Sequence, residues 1–164
     1  MKGVKIMYKY IVQLIVSIPI FMITLFFSWY EGSAIIEKST QWIYSTPFTN
    51  FLNIEILSGK DIIWLDYFVY AIKFQPVFPL ISFICAVYIF LNVILIILKF
   101  NKRIANILLG TSCIIVLFLC VILFGASTKG GQLFFLISII CEVMLLIFFV
   151  YQIRKKDLEG FVKN

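Results

Sequence analysis

A chain of 164 residues has the length of one ordinary domain, yet 63% of it is hydrophobic and only 13% charged, with a mean hydropathy of +1.08. Its 18 Phe, 8 acidic residues and lack of His leave too few polar side chains to cover a globular surface, which excludes a soluble enzyme, a disordered tail and a nucleic-acid module. The net charge of +6 does not reverse this, because the 14 cationic residues sit at the ends of apolar runs; lipid, not nucleic acid, is the expected partner. Lysine outnumbers arginine twelve to two, a bias that with abundant Ile, Phe, Tyr and Asn points to an AT-rich bacterial genome.

Four apolar stretches reach the length of about 20 residues that a helix needs to cross a bilayer: Ile11 to Tyr30, Val77 to Leu98, Ile104 to Gly125 and Leu133 to Tyr151. Hydrocarbon demands that every backbone N–H and C=O be paired within its own segment, and the alternation of a barrel strand is missing, so the expected fold is an all-α four-helix transmembrane bundle in one domain, 1–164. Ten Lys and Arg flank one side (Lys2, Lys5, Lys9, Lys99, Lys102, Arg103, Arg154, Lys155, Lys156 and Lys163) against four on the other (Lys38, Lys60, Lys73 and Lys129). The positive-inside rule then places both termini in the cytoplasm of a cell-membrane protein. A cleaved signal peptide is disfavoured, because the first apolar run exceeds the usual 7 to 15 residues and bulky Trp29-Tyr30 with Glu31 precede the small residues Gly32-Ser33-Ala34.

Residues 31–76 form the one long loop outside the spans. Alternation in Gln41 to Ser45 and Asn53 to Leu57 predicts two short strands with a turn at Thr46-Pro47. Ser58 and Asp61 have capping-box spacing before Ile62 to Ile72, an apolar run too short to span, which predicts an interfacial helix. Asp66, Tyr70 and Lys73 fall on one side of it and Trp64, Leu65, Phe68 and Ile72 on the other. Trp42, Trp64 and Tyr67 are the candidate outer contacts with a partner or lipid headgroups.

Within this region Trp29-Tyr30-Glu31-Gly32-Ser33, Tyr44-Ser45-Thr46-Pro47-Phe48, Tyr67-Phe68-Val69-Tyr70-Ala71 and Lys73-Phe74-Gln75-Pro76 resemble the uncharacterised YjdJ-type membrane proteins of Bacillus and relatives. The resemblance covers roughly residues 11 to 98 and implies a small cytoplasmic-membrane family with no assigned activity, so no functional residue is carried over. Claudin-like proteins and quinone-linked disulfide oxidases share the topology but place paired cysteines outside the membrane, where this loop has none.

Little in the chain supports catalysis. Cys85, Cys113, Cys120 and Cys141 all fall inside spans without CxxC spacing, and triads needing His, Gly-rich phosphate loops and HExxH are missing, so no catalytic residue, metal or cofactor is expected. Glu142 is the one ionisable residue deep in a span. A central charge costs about 2.5 to 3.5 kcal/mol on insertion, while the 14 Leu, Ile, Val and Phe residues around it return roughly 4 to 8, so the helix inserts with Glu142 protonated or hydrogen-bonded to a neighbour. Polar and small stripes supply neighbours: Gln13, Ser17, Thr24 and Ser28 on the first span, Ser82, Cys85 and Asn92 on the second, Asn106, Gly110, Cys113 and Cys120 on the third. These are expected to face inward, bonding across the helices, with Glu142, Asn92, Ser17 and Cys113 as an intramembrane polar site.

Three functional expectations follow. The first is a non-enzymatic accessory or interaction protein of the bacterial envelope that works through its outer loop, with a membrane-protein partner or a second copy of itself. The others are a small proton-coupled transporter using Glu142 and an immunity protein against a membrane-active peptide.

Overall fold

The computed structural model describes the backbone of residues 2–161 and the side chains of residues 8–154. The charges of Lys2, Lys5, Lys155, Lys156 and Lys163 used in the orientation argument lie outside the described side chains. Among the described residues seven α-helices follow in order: α1 (Lys2–Gly32), α2 (Trp42–Ser45), α3 (Pro47–Phe51), α4 (Trp64–Phe74), α5 (Val77–Phe100), α6 (Lys102–Leu123) and α7 (Lys129–Phe161). Short 3₁₀ turns occupy Ser33–Glu37, Ser39–Gln41 and Gly59–Asp61. Helices α1, α5, α6 and α7 are long and apolar enough to cross a membrane.

At the α5–α6 turn and at the start of α7, the helices extend beyond their apolar runs because flanking residues supply caps. Asn101 closes α5 through its N–H to the Ile97 carbonyl (2.8 Å), and its side-chain oxygen accepts from Arg103 N (3.0 Å) and Ile104 N (3.1 Å) to open α6. One residue thus makes the whole turn. Thr128 Oγ1 accepts from Gly131 N (3.2 Å), so α7 starts at Lys129 rather than at Leu133.

The spans pack in a row, α1 on α5, α5 on α6 and α6 on α7, with α4 laid across α1, α5 and α7 at one end. Polar stripes point inward, as Ser17, Thr24 and Ser28 on α1 and Ser138 and Glu142 on α7 are all buried. Their hydroxyls do not bridge helices. Ser28 donates to Thr24 O, Ser112 to Leu109 O and Ser138 to Phe134 O, and Thr24 and Ser82 do the same on their own helices. Each hydroxyl is satisfied one turn back, so these residues serve by being small enough for helices to approach. Ile94, Ala105, Leu109, Val116 and Leu145 fill the α5–α6–α7 core, and Phe27 stacks on Phe78 across α1 and α5.

The segment between α1 and α5 corrects the expected mixed loop: there is no strand among its described residues, and it is a helical cap. Gln41 to Ser45 forms a 3₁₀ end and α2, and Pro47 opens α3 instead of marking a hairpin turn. Proline suits that first helical position, where its missing N–H has no intrahelical partner to lose. Asn53 takes φ 53, with Asn53 N bonded to Asn50 O (3.0 Å) and Ile54 N to Thr49 O (3.2 Å). That pair of bonds is a Schellman stop, so the alternation from Asn53 to Leu57 is the exit from a helix and has no strand beside it.

The Ser58–Asp61 capping box forms on the 3₁₀ turn Gly59–Asp61, and α4 begins later, at Trp64. Asp61 Oδ2 accepts from Ser58 N (2.7 Å), Ser58 Oγ (3.0 Å) and Leu57 N (3.1 Å). These bonds, those from Ser58 foremost, hold the Asp61 carboxyl below its ordinary range. Because the folded value is the lower one, this support is complete above the ordinary carboxylate range and fades as pH falls through the lowered value. Protection of the Ser58 amide against exchange, taken relative to its intrinsic rate at each pH, is expected to fall on acidification, and Asp61→Asn is expected to remove that pH dependence.

Candidate functional site

The cap is built around a residue whose role the sequence pattern did not expose. Asp66 of α4 is fully buried, and its carboxylate accepts from Phe48 N (2.9 Å), Thr49 N (2.8 Å) and Thr49 Oγ1 (2.6 Å). Those amides belong to the first turn of α3, where no intrahelical acceptor exists. The nearer candidate cap, Thr46, instead donates its hydroxyl back to Trp42 O. Thr49 Oγ1 in return accepts from Ile63 N (3.0 Å) at the start of α4, so α3 and α4 cap one another.

Around this pair Ile35, Ile62 and Tyr70 form a small core, joined by Trp42 and Tyr67. Trp42 Nε1 donates to Ile35 O (2.8 Å), and Tyr67 rests against Trp29 of α1 at 6.3 Å between ring centroids. Of the three aromatic candidates, Trp64 is therefore the exposed one, while Trp42 and Tyr67 are half-buried inside the cap. The outward surface is instead carried by Ile43, Tyr44, Phe51, Leu57 and Trp64, each more than half exposed. Lys73 ties α4 to α2 by donating to Tyr44 O, and burial pushes its ammonium below the ordinary lysine value.

Glycines fasten the cap to the spans. A Cβ at Gly32 would fall on the backbone carbonyl of Tyr67, and one at Gly130 on the carbonyls of Ile72 and Lys73. The end of α1 and the start of α7 therefore hold α4 at backbone contact from two sides.

Inside the spans, the four polar candidates do not converge. Glu142 is 6% exposed and lies within electrostatic reach of Cys113 and Cys120, so it faces α6. Its Oε2 has no hydrogen-bond partner among the described residues. Asn92 donates to Tyr88 O of its own helix (2.9 Å), and Ser17 to Leu14 O of its own (3.4 Å). Ser17 lies on α1, which packs chiefly on α5 and α4 rather than on α7. Cys113 and Glu142 share a seam that Ser17 does not reach.

The family model described as a domain of unknown function (DUF4306) matches residues 11–98, which run from early in α1 to the end of α5 and include the whole cap. The uncharacterized protein YjdJ of Bacillus subtilis (strain 168) is 33% identical over 107 residues, covering 63% of this chain and 94% of that relative. Glu142 lies outside the family match. No solved structure matches the chain. With more than half its length inside the match, the cap and both helices that carry it included, the chain belongs to the DUF4306 family.

Proposed function

We propose that this is a non-enzymatic accessory protein of the bacterial cell membrane that binds a membrane-embedded partner through its cap. The observation that carries the reading is the pairing of a cross-braced interior, Asp66 with α3, with large apolar side chains turned outward: Ile43, Tyr44, Phe51, Leu57 and Trp64. A rigid base under exposed aromatic and aliphatic groups is how binding energy concentrates in a few side chains. The match to the family, which includes the cap and stops before α6, supports placing the shared role there. Both termini are proposed to be cytoplasmic and the cap external, on the strength of the Lys and Arg imbalance.

The reading predicts separable variants in a strain deleted for the gene and screened for envelope-stress phenotypes. Trp64→Ser with Tyr44→Ser is expected to lose complementation at normal protein level, and Glu142→Gln to retain it. Full complementation by the double cap variant would exclude the reading.

A further inference from the structure

We propose that the seam between α6 and α7 is a proton-binding site, with Glu142 taking the proton, Asn106 at its mouth and the Phe149 ring over Gly110 as the constriction between them. The site belongs to the hairpin outside the family match, so it stands apart from the cap reading and survives that reading's failure.

The register follows from one contact. A Cβ on Gly110 would stand 3.6 Å from the Phe149 ring, and the two helices run antiparallel, so seven residues on Glu142 lies opposite Leu117, between Cys113 and Cys120. This agrees with the electrostatic reach of Glu142 to both thiols. Those thiols are the titratable groups α6 turns toward it, and Cys141 is its neighbour on α7. From α5 the apolar core beside this seam receives Ile94, with Phe83 packed against it.

Glu142 Oε2 is shielded and has no donor among the described residues. An ionised carboxylate with an empty oxygen is a state that hydrocarbon does not sustain, whereas a bound proton makes the group neutral. Asn106 supplies the independent observation. Its Oδ1 is a second shielded acceptor without a partner among the described residues, and Asn106 shares the helix face of Gly110, Cys113 and Cys120. It sits one turn from the start of α6, about 16 Å along the axis from the level of Glu142. A buried acceptor left without a protein donor takes one from water, so the mouth is the hydrated end. Between the two acceptors, the Phe149 ring over Gly110 is an apolar block that a proton-carrying water must pass.

Carbodiimide labelling of the full chain in phosphatidylethanolamine–phosphatidylglycerol vesicles, mapped by peptide mass spectrometry, tests both parts. The lipophilic dicyclohexylcarbodiimide reacts with protonated carboxyls in apolar surroundings and is expected to mark Glu142, with loss of the adduct in Glu142→Gln. A water-soluble carbodiimide with an amine is expected to leave Glu142 unmarked in the wild type and in Phe149→Leu, and to mark it several-fold more in Phe149→Ala. Absence of the lipophilic adduct at wild-type Glu142 would overturn the proton site, a result that needs no variant to fold. Equal aqueous labelling of wild type and Phe149→Ala would overturn the route.

Discussion

Asp66→Ala is expected to unfold the cap while leaving the spans helical. The substitution strands Phe48 N and Thr49 N in a buried place and removes the partner of the Thr49 hydroxyl. Hydrogen bonds to a charged acceptor are each worth about 1.5 to 3 kcal/mol, and buried unpaired amides add their desolvation penalty, so a loss of about 3 to 5 kcal/mol is expected. Asp66→Asn keeps one acceptor oxygen for two backbone donors and is expected to lose roughly half as much. The readout is a lower midpoint of thermal unfolding in detergent, together with new proteolytic cleavage between Gln41 and Asp61. Unchanged protease resistance in Asp66→Ala would mean that the α3–α4 brace does not hold the cap.

The second large effect is steric. Gly32→Ala and Gly130→Ala each push a methyl group into backbone rather than into a side chain that can swing away. Overpacking of this kind costs about 1 to 3 kcal/mol where neighbours can adjust, and two carbonyls on one helix adjust poorly, so about 3 kcal/mol is expected at each site. Gly110→Ala is the internal control. Its added carbon would meet the Phe149 ring at an ordinary 3.6 Å and gain helix propensity, so its effect is expected to stay below about 1 kcal/mol. The same detergent unfolding series distinguishes the three, and equal stability of all three variants would remove the backbone contacts from the account.

The spans were legible because a run of twenty apolar residues has few structural solutions, and at the α5–α6 turn and the start of α7 the ends shifted because Asn101 and Thr128 cap beyond the apolar limit. The inward stripes were legible too, since small and polar residues recur at helical spacing. What they do was not: a serine in a helix has its own carbonyl one turn back, and Ser28 and Ser138 take that partner rather than a neighbouring helix. Spacing shows which face a residue occupies and says nothing of which acceptor is nearer.

The cap was less readable because its segments are too short for periodicity to separate a helix from a strand. Asn53 to Leu57 alternates like a strand, yet Asn53 ends a helix in the left-handed region, which only the Schellman bonds reveal. The polar side of α4 was correctly grouped but faces inward: Asp66 and Tyr70 are buried while Trp64 and Leu65 are exposed. The polar groups of α4 find their partners inside the cap, Asp66 on the first amides of α3. At the candidate site, sequence position alone set Ser17, Asn92, Cys113 and Glu142 at one depth, but lateral order of the helices decides which of them meet: α1 packs chiefly on α5 and α4, so Ser17 does not reach the seam of Cys113 and Glu142.

The central claim is that the outward surface of a braced cap is where this protein meets its partner. Site-specific photo-crosslinking in native membranes, with the probe at Trp64 and, separately, at the exposed mid-span residue Ile147, tests it most directly. The account predicts a discrete protein adduct from position 64 that disappears with Asp66→Ala and with Tyr44→Ser, and lipid adducts alone from position 147. A protein adduct from position 147 with none from position 64 would contradict it.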